Sequence, residues 1–136
     1  MGNVNEKKKL LYVDDDLLSL ESIQKLLRYE YDIDTASNVE KTLELVDRNN
    51  YDAILMDIGL IGDIDGIELT KMIKQRGNYK KIPVIALTAY ASRKDREYFL
   101  NHGLDYYIAK PFFKKDILKL LDEVFNSESE AKTNSE

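Results

Sequence analysis

The chain has 136 residues, of which 43% are hydrophobic and 33% charged, and its formal net charge is -5. This length allows one domain with a real core and leaves no room for a second domain of ordinary size. The negative charge argues against nucleic-acid binding, because affinity for phosphate backbones comes mainly from Lys and Arg. The absence of cysteine excludes disulfides, thiolate metal sites and thiol catalysis.

The amino terminus carries neither a signal-peptide core nor an apolar run long enough to span a membrane. We therefore expect a cytoplasmic protein. Residues 1–7 show no periodicity and predict a flexible arm. Residues 126–136 have too few apolar side chains to order themselves and predict a disordered tail or the stub of a linker. These limits leave 8–125 as the folded domain.

Hydrophobic periodicity predicts five strands that alternate with five helices. Short apolar runs indicate the strands, and apolar residues three and four positions apart indicate the helices. The predicted strands are Lys8–Asp14, Tyr31–Ala36, Ala53–Asp57, Val84–Leu87 and Tyr106–Lys110. The predicted helices are Asp16–Arg28, with Asp16 as its N-cap or in its first turn, one after an Asn38 cap, one led by Asp65 and Gly66, Arg93–Asn101 and Lys114–Phe125. Residues 59–66 are rich in Gly and Asp and predict a loop.

Strict alternation of strands and helices predicts an α/β fold with a parallel sheet and helices on both faces. Parallel neighbours need crossover connections, and these are right-handed. The expected architecture is a flavodoxin-like, doubly wound (βα)5 sheet with strand order 2-1-3-4-5. That order places the first and third strands side by side.

Polar residues stand at the carboxyl ends of four predicted strands. The run Ala53 to Met56 reads as a strand buried on both faces, and Asp57 ends it. Asp14 and Asp15 end the first strand, next to Asp57 in the expected order. Ligands of open parallel sheets collect beyond these strand ends. Crowded carboxylates without His or Cys predict a hard cation, and Mg²⁺ is the natural choice.

The fourth and fifth strands add a hydroxyl and an ammonium to this rim, through Thr88-Ala89 and Lys110-Pro111. Together with the Asp14-Asp15 pair and Asp57, these residues resemble the receiver domain of two-component response regulators. The resemblance covers roughly Lys8 to Phe125. It implies a phosphoacceptor that takes a phosphoryl group from a phosphohistidine on a kinase or phosphotransfer protein.

The resemblance also assigns roles to single residues. Asp57 would be the phosphoacceptor nucleophile. Asp15 and Asp57 would ligate Mg²⁺ directly, Asp14 would act mainly through water, and Gly59 would offer its backbone carbonyl. A receiver would catalyse its own phosphorylation and dephosphorylation without being a conventional turnover enzyme.

The remaining implied roles concern the phosphoryl group and the signal. Lys110, the Thr88 hydroxyl and the Ala89 N–H would bind phosphoryl oxygens, and the Lys110-Pro111 bond would be cis. Movement of Thr88 would let Tyr107 rotate inward and reshape the surface of helix four, strand five and helix five, where an output partner or a second copy would bind. Gly59 and Tyr90 would tune hydrolysis of the acyl phosphate.

One feature departs from the receiver pattern: residues 59–66 lack the usual Met-Pro step and read one residue longer. Other interpretations stay open. They are a scaffold that keeps the fold without being phosphorylated, a phosphohydrolase of the haloacid dehalogenase type and a flavodoxin relative. The phosphohydrolase needs a second aspartate where Gly59 stands, and the flavodoxin loop needs hydroxyls where Asp14 to Asp16 stand. The chain would be a stand-alone regulator or a piece of a hybrid kinase or longer regulator.

Overall fold

The computed structural model describes residues 6–58, 60–61, 64–89 and 92–134. Within them the chain forms five strands of one sheet and five helices. The strands are β1 (Lys9–Val13), β2 (Asp32–Ala36), β3 (Ala53–Asp57), β4 (Val84–Thr88) and β5 (Tyr106–Ala109). The helices are α1 (Leu17–Leu27), α2 (Val39–Arg48), α3 (Gly66–Lys74), α4 (Arg93–Asn101) and α5 (Lys114–Asn134).

The sheet is parallel and its strand order is 2-1-3-4-5, which confirms the predicted topology. β1 lies between β2 and β3, and its last residue, Val13, pairs with Ala36 on one side and Met56 on the other. β4 pairs with β3 and with β5. All five strands therefore end at the same edge of the sheet.

Both faces of the sheet are buried, because the apolar strand residues alternate between two cores. Leu11 and Met56 face the core shared with α2, α3 and α4, and Leu10 and Leu55 face the core shared with α1 and α5. These four side chains are fully buried. Truncating a side chain of this kind to Ala typically costs about 2–5 kcal/mol. The central strands are thus a rigid frame for whatever their ends carry.

Side-chain caps fix where the helices begin. Asp16, Asn38, Asp65 and Ser92 each accept a backbone N–H from the first turn of α1, α2, α3 and α4. The roles predicted for Asp16 and Asn38 are confirmed. Gly103 follows the end of α4 with a φ of 97°, a conformation that glycine adopts without steric cost.

Two segments differ from the prediction. In place of a plain loop, Leu60–Ile61 and Ile64–Asp65 pair as a short antiparallel ladder. The sequence signal was present, since apolar residues flank a Gly-Asp pair. The second segment follows Phe125: α5 runs on to Asn134, where a disordered tail was expected.

The continuation of α5 has a simple physical reason. Residues 126–134 contain neither Gly nor Pro, and their Glu, Ala and Lys residues are good helix formers, so nothing stops the helix at Phe125. The composition that argues against a packed core does not argue against a helix. Positions 1–5 of the predicted arm lie outside the described residues, and the predicted limits of the domain stay a prediction. None of the helices in the described ranges is both long and apolar enough to cross a bilayer.

Candidate functional site

Three carboxylates converge where β1 and β3 end. Pairing of Val13 with Met56 brings Asp14 and Asp15 beside Asp57. One oxygen from each carboxylate lies within 4.8 Å of the other two. Asp14 is buried at 1% exposure, Asp57 is partly buried and Asp15 is exposed. The cluster therefore opens to solvent on the Asp15 side and is closed beneath Asp14.

The Asp14 carboxylate is held on both of its oxygens. The Tyr12 hydroxyl donates to Oδ2 at 2.5 Å, and the Asp16 backbone N–H donates to Oδ1 at 3.0 Å. Tyr12 itself is fully buried. Because β1 side chains alternate, Tyr12 and Asp14 leave the strand on the same face, which is what makes the contact possible. Sequence reasoning missed Tyr12, although a hydroxyl two residues before an acid in an apolar strand was a usable signal.

Lys110 is the cation of the cluster. Its Nζ lies 3.3 Å from Asp57 Oδ1 and 3.5 Å from Asp14 Oδ2. The backbone N–H of Lys110 donates to the Thr88 carbonyl at 2.8 Å, which ties the end of β5 to the end of β4. The Lys110-Pro111 bond is cis, as predicted. The distances from Nζ to Asp57 and Asp14 place the ammonium in the cluster.

The charges in this cluster do not balance: three carboxylates face one ammonium. Burial raises the pKa of Asp57, the charge of Asp14 raises it further, and Lys110 lowers it. Burial and the hydrogen bond to Asp14 raise the pKa of Tyr12, so its hydroxyl stays protonated and donates. The excess negative charge and the all-oxygen donor set suit a hard divalent cation such as Mg²⁺.

Thr88 and Ala89 lie on the opposite side of Asp57 from the β1 acids. The Thr88 side chain is buried and Ala89 is exposed. Both residues line a cleft of about 400 Å³ that Asp57 and Lys110 also line. On its far side, among the described residues, the cleft is walled by α4 side chains, which include Phe99. Space for a group bound to Asp57 therefore exists between β4 and α4.

Tyr107 lies two strands away from Asp57, on β5, and packs partly buried against the core under α4. Its hydroxyl accepts a hydrogen bond from Arg96 Nη1, and the guanidinium carbon of Arg96 is 5.2 Å from the ring centroid. The Arg96 Nε is buried without a hydrogen-bond partner among the described residues. Sequence reasoning missed Arg96, because nothing local pairs residues eleven positions apart.

Gly66 was predicted only as the start of a helix, yet it touches the site. A Cβ built on it would lie 2.5 Å from the Asp57 carbonyl oxygen and 3.0 Å from Met56 Cγ. The first turn of α3 therefore packs directly on the backbone of Asp57. Two other predicted residues, Gly59 and Tyr90, lie outside the described residues.

Comparison with known proteins identifies the family. The sequence model of the response regulator receiver domain matches residues 10–122. The chain belongs to this family. Response regulator MprA of Mycobacterium leprae is 32% identical over 111 residues, which are 81% of this chain and 47% of MprA. The polar-differentiation response regulator DivK of Brucella anthropi is 34% identical over 105 residues, which are 76% of this chain and 85% of DivK.

A solved receiver domain shows the same fold. The receiver domain of sensor histidine kinase PA1611 from Pseudomonas aeruginosa has a TM-score of 0.77 and 32% identity, and the match covers 86% of this chain and 96% of that one. That structure holds a magnesium ion coordinated in the active-site cleft. The present receiver chain spans about half the length of the first curated relatives it matches.

Proposed function

We propose that this receiver domain is the phosphoacceptor of a two-component phosphorelay and that Asp57 is phosphorylated. The observation that carries the proposal is the position of the Asp57 carboxylate, which lies beside two further carboxylates and the Lys110 ammonium at the end of a buried strand. A structural strand end needs no such concentration of charge, which opposes folding. A site that handles phosphate and a divalent cation does need it.

In the proposed reaction an Asp57 oxygen attacks the phosphorus of a phosphohistidine in line. The new O–P bond forms as the N–P bond breaks, and the imidazole nitrogen leaves with the electrons of that bond. Lys110, whose Nζ lies 3.3 Å from Asp57 Oδ1, moves from that carboxylate to a phosphoryl oxygen. The Thr88 hydroxyl and the Ala89 N–H bind the other oxygens. Asp15 and Asp57 would hold Mg²⁺, with Asp14 acting through water, and the bound ion would neutralise negative charge.

An apolar groove beside α1 offers a docking surface for the protein that donates the phosphoryl group. A groove of about 600 Å³ runs between α1 and the segment after β5, from Lys110 to Leu18 and Leu26. Leu18, which lines this groove, is 73% exposed. The groove reaches Lys110, which contacts Asp57, so a protein that presents a phosphohistidine to Asp57 can also cover it, and each Å² of apolar surface buried contributes about 25 cal/mol. We therefore assign this groove to the histidine kinase or phosphotransfer protein.

The output surface in this proposal is formed by α4, β5 and α5. A second groove, of about 400 Å³, is lined there by Leu100, Tyr107 and Leu120. Phosphorylation would draw the Thr88 hydroxyl toward the phosphoryl group and release Tyr107 to rotate, which reshapes this groove. Binding of an output partner is the proposed readout. Sedimentation of the phosphorylated chain alone distinguishes this partner from a homodimer.

Three finer assignments belong to the same proposal. Gly59 completes the ligand set with its carbonyl, and Gly59 and Tyr90 set the hydrolysis rate of the acyl phosphate. The location is the cytoplasm, because the ATP that charges such donors is made available there. Decay of the phosphorylated protein, compared between the natural chain and Tyr90→Ala, tests the second assignment, and equal decay removes Tyr90 from it.

The test of the central claim is incubation with Mg²⁺ and acetyl phosphate, followed by intact-mass measurement. The natural chain should gain one phosphoryl group and Asp57→Asn none. Asp52→Asn is the matched control, since Asp52 precedes the same strand at its opposite end, where its carboxylate accepts the Lys9 N–H at 2.7 Å. Labelling of Asp57→Asn at the level of Asp52→Asn would refute the claim that Asp57 is the phosphoacceptor. A chain that is never labelled would instead be an interaction module that keeps the fold.

A second experiment separates the donor from the chemistry. Leu18→Ser should slow transfer from a phosphorylated histidine protein and leave labelling by acetyl phosphate unchanged. Leu100→Ser, an exposed leucine on α4, is the control for a loss of apolar surface elsewhere. Equal transfer rates for the two variants would overturn the assignment of the donor groove.

A further inference from the structure

The contact between Tyr12 and Asp14 is unusual in its burial. Tyr12 has no exposed surface and Asp14 has 1%, and the hydroxyl-to-carboxylate distance is 2.5 Å. A buried carboxylate oxygen that loses its donor pays a desolvation cost. Tyr12 is fully buried, so on its side of Asp14 solvent does not replace the hydroxyl.

The second neighbour of the same carboxylate oxygen is Lys110. Its Nζ is 3.5 Å from Asp14 Oδ2 and 3.3 Å from Asp57 Oδ1, so it lies slightly closer to Asp57. Without the Tyr12 hydroxyl, Lys110 would be the charged donor left at Asp14 Oδ2. The ammonium would then be held at Asp14 at the moment when the cation and the phosphoryl group need it elsewhere.

We propose that Tyr12 is a positioning residue of the cation and phosphoryl site: its hydroxyl holds Asp14 in place and frees Lys110 for Asp57 and the phosphoryl group. The inference rests on the proposed function, since it takes Asp14 and Asp57 to be the groups that face Mg²⁺. Tyr12 touches neither the cation nor the phosphoryl group and acts through Asp14. Side chains that orient metal-facing groups in this way typically change metal affinity by about 10–100-fold when removed.

The chain offers a matched control for this contact. Tyr51 is also buried, and its hydroxyl donates to Asp34 Oδ2 at 2.7 Å. Tyr51 precedes β3 and Asp34 lies in the middle of β2, so the pair is remote from the carboxyl ends of the strands. Tyr12→Phe and Tyr51→Phe each remove one hydroxyl from a tyrosine–aspartate pair. A purely structural role for Tyr12 predicts the same behaviour from both variants.

The test measures Mg²⁺ binding by titration calorimetry and unfolding midpoints without metal. We expect both variants to unfold at lower temperature than the natural chain. Only Tyr12→Phe should weaken Mg²⁺ binding, by about tenfold. Its labelling by acetyl phosphate should be slow at low Mg²⁺ and recover in part at saturating Mg²⁺. Equal Mg²⁺ dissociation constants for Tyr12→Phe and Tyr51→Phe would overturn the proposal.

One further measurement keeps the inference testable on its own. If Tyr12→Phe does not fold, the hydroxyl proton of Tyr12 is followed by NMR in the natural chain, with that of Tyr51 as reference. A shift on Mg²⁺ addition confined to Tyr12 supports the proposal, and equal or absent shifts refute it. Failure of the proposed function looks different: Asp57 is then never labelled, while the two variants still differ in Mg²⁺ affinity.

Discussion

The first turn of α3 packs tightly on the end of β3, and Gly66→Ala tests this contact. A Cβ at position 66 would lie 2.5 Å from the Asp57 carbonyl oxygen, 3.0 Å from Met56 Cγ and 3.2 Å from Ile58 Cα. Real Cβ contacts are not shorter than 3.0 Å, so the helix start and the strand end must separate by at least 0.5 Å, the difference between 3.0 and 2.5. The nearest atom is backbone, which cannot turn away as a side-chain end would.

The expected cost follows from this geometry. Overpacking against fixed atoms costs about 2–3 kcal/mol, and the better helix propensity of Ala returns at most about 1 kcal/mol. The net loss of unfolding free energy is therefore about 1–2 kcal/mol, or a midpoint lower by roughly 3–10 °C for a domain of this size. Displacement of the Asp57 backbone should also weaken Mg²⁺ binding.

Gly77→Ala is the matched control, because a Cβ at Gly77 meets nothing within 4 Å. This variant should gain about 0.4–1 kcal/mol through a less flexible unfolded chain. Urea unfolding followed by circular dichroism gives both free energies, and calorimetry gives the Mg²⁺ affinities. Should Gly66→Ala prove as stable as Gly77→Ala, the packing of α3 on Asp57 would be misdescribed.

Three further predictions address charge, a cap and the switch. Burial and the neighbouring Asp14 raise the pKa of Asp57, so its ionised form is less favourable in the folded chain than in the unfolded one. Asp57→Asn should therefore raise the metal-free unfolding midpoint at pH 7. This gain should vanish below the ordinary aspartate pKa, where the carboxyl is protonated in both the folded and the unfolded chain. Equal midpoints for the two proteins at pH 7 would contradict the charge argument. Ser92→Ala removes half of a capping box and should cost about 1 kcal/mol, seen as faster hydrogen exchange in the first turn of α4; unchanged exchange there would show that the cap is dispensable. Arg96→Met removes the hydrogen bond and the stacked cation from Tyr107 and should broaden or shift its ring resonances in NMR spectra without metal; an unchanged Tyr107 spectrum would rule out Arg96 as its restraint.

The topology and the positions of the site residues could be predicted because the decisive signals are local. Four apolar residues before Asp57 mark a strand buried on both faces, and strict alternation with helices leaves a parallel sheet as the solution. Residues that end parallel strands must share one edge. The caps Asp16 and Asn38 were equally readable, because a capping side chain bonds to its own first turn.

The contacts that sequence reasoning missed are not local in this sense. Arg96 and Tyr107 meet only because α4 packs on β5, and Gly66 approaches Asp57 only because α3 starts against the end of β3. The prediction that α5 ends at Phe125 was wrong for another reason. A polar composition predicts that a segment cannot form a core, but it does not exclude a helix, which needs no core of its own.

The arrangement of charges shows that the fold determines the positions of the site residues. Asp14 and Asp57 repel each other, and one Lys110 cannot neutralise both of them together with Asp15. Attraction within the site therefore cannot be what assembles it. The positions are set by β1, β3 and β4, whose buried side chains contribute far more free energy than the repulsion removes. Such a site is preorganised and keeps excess negative charge, which a bound cation would neutralise together with Lys110.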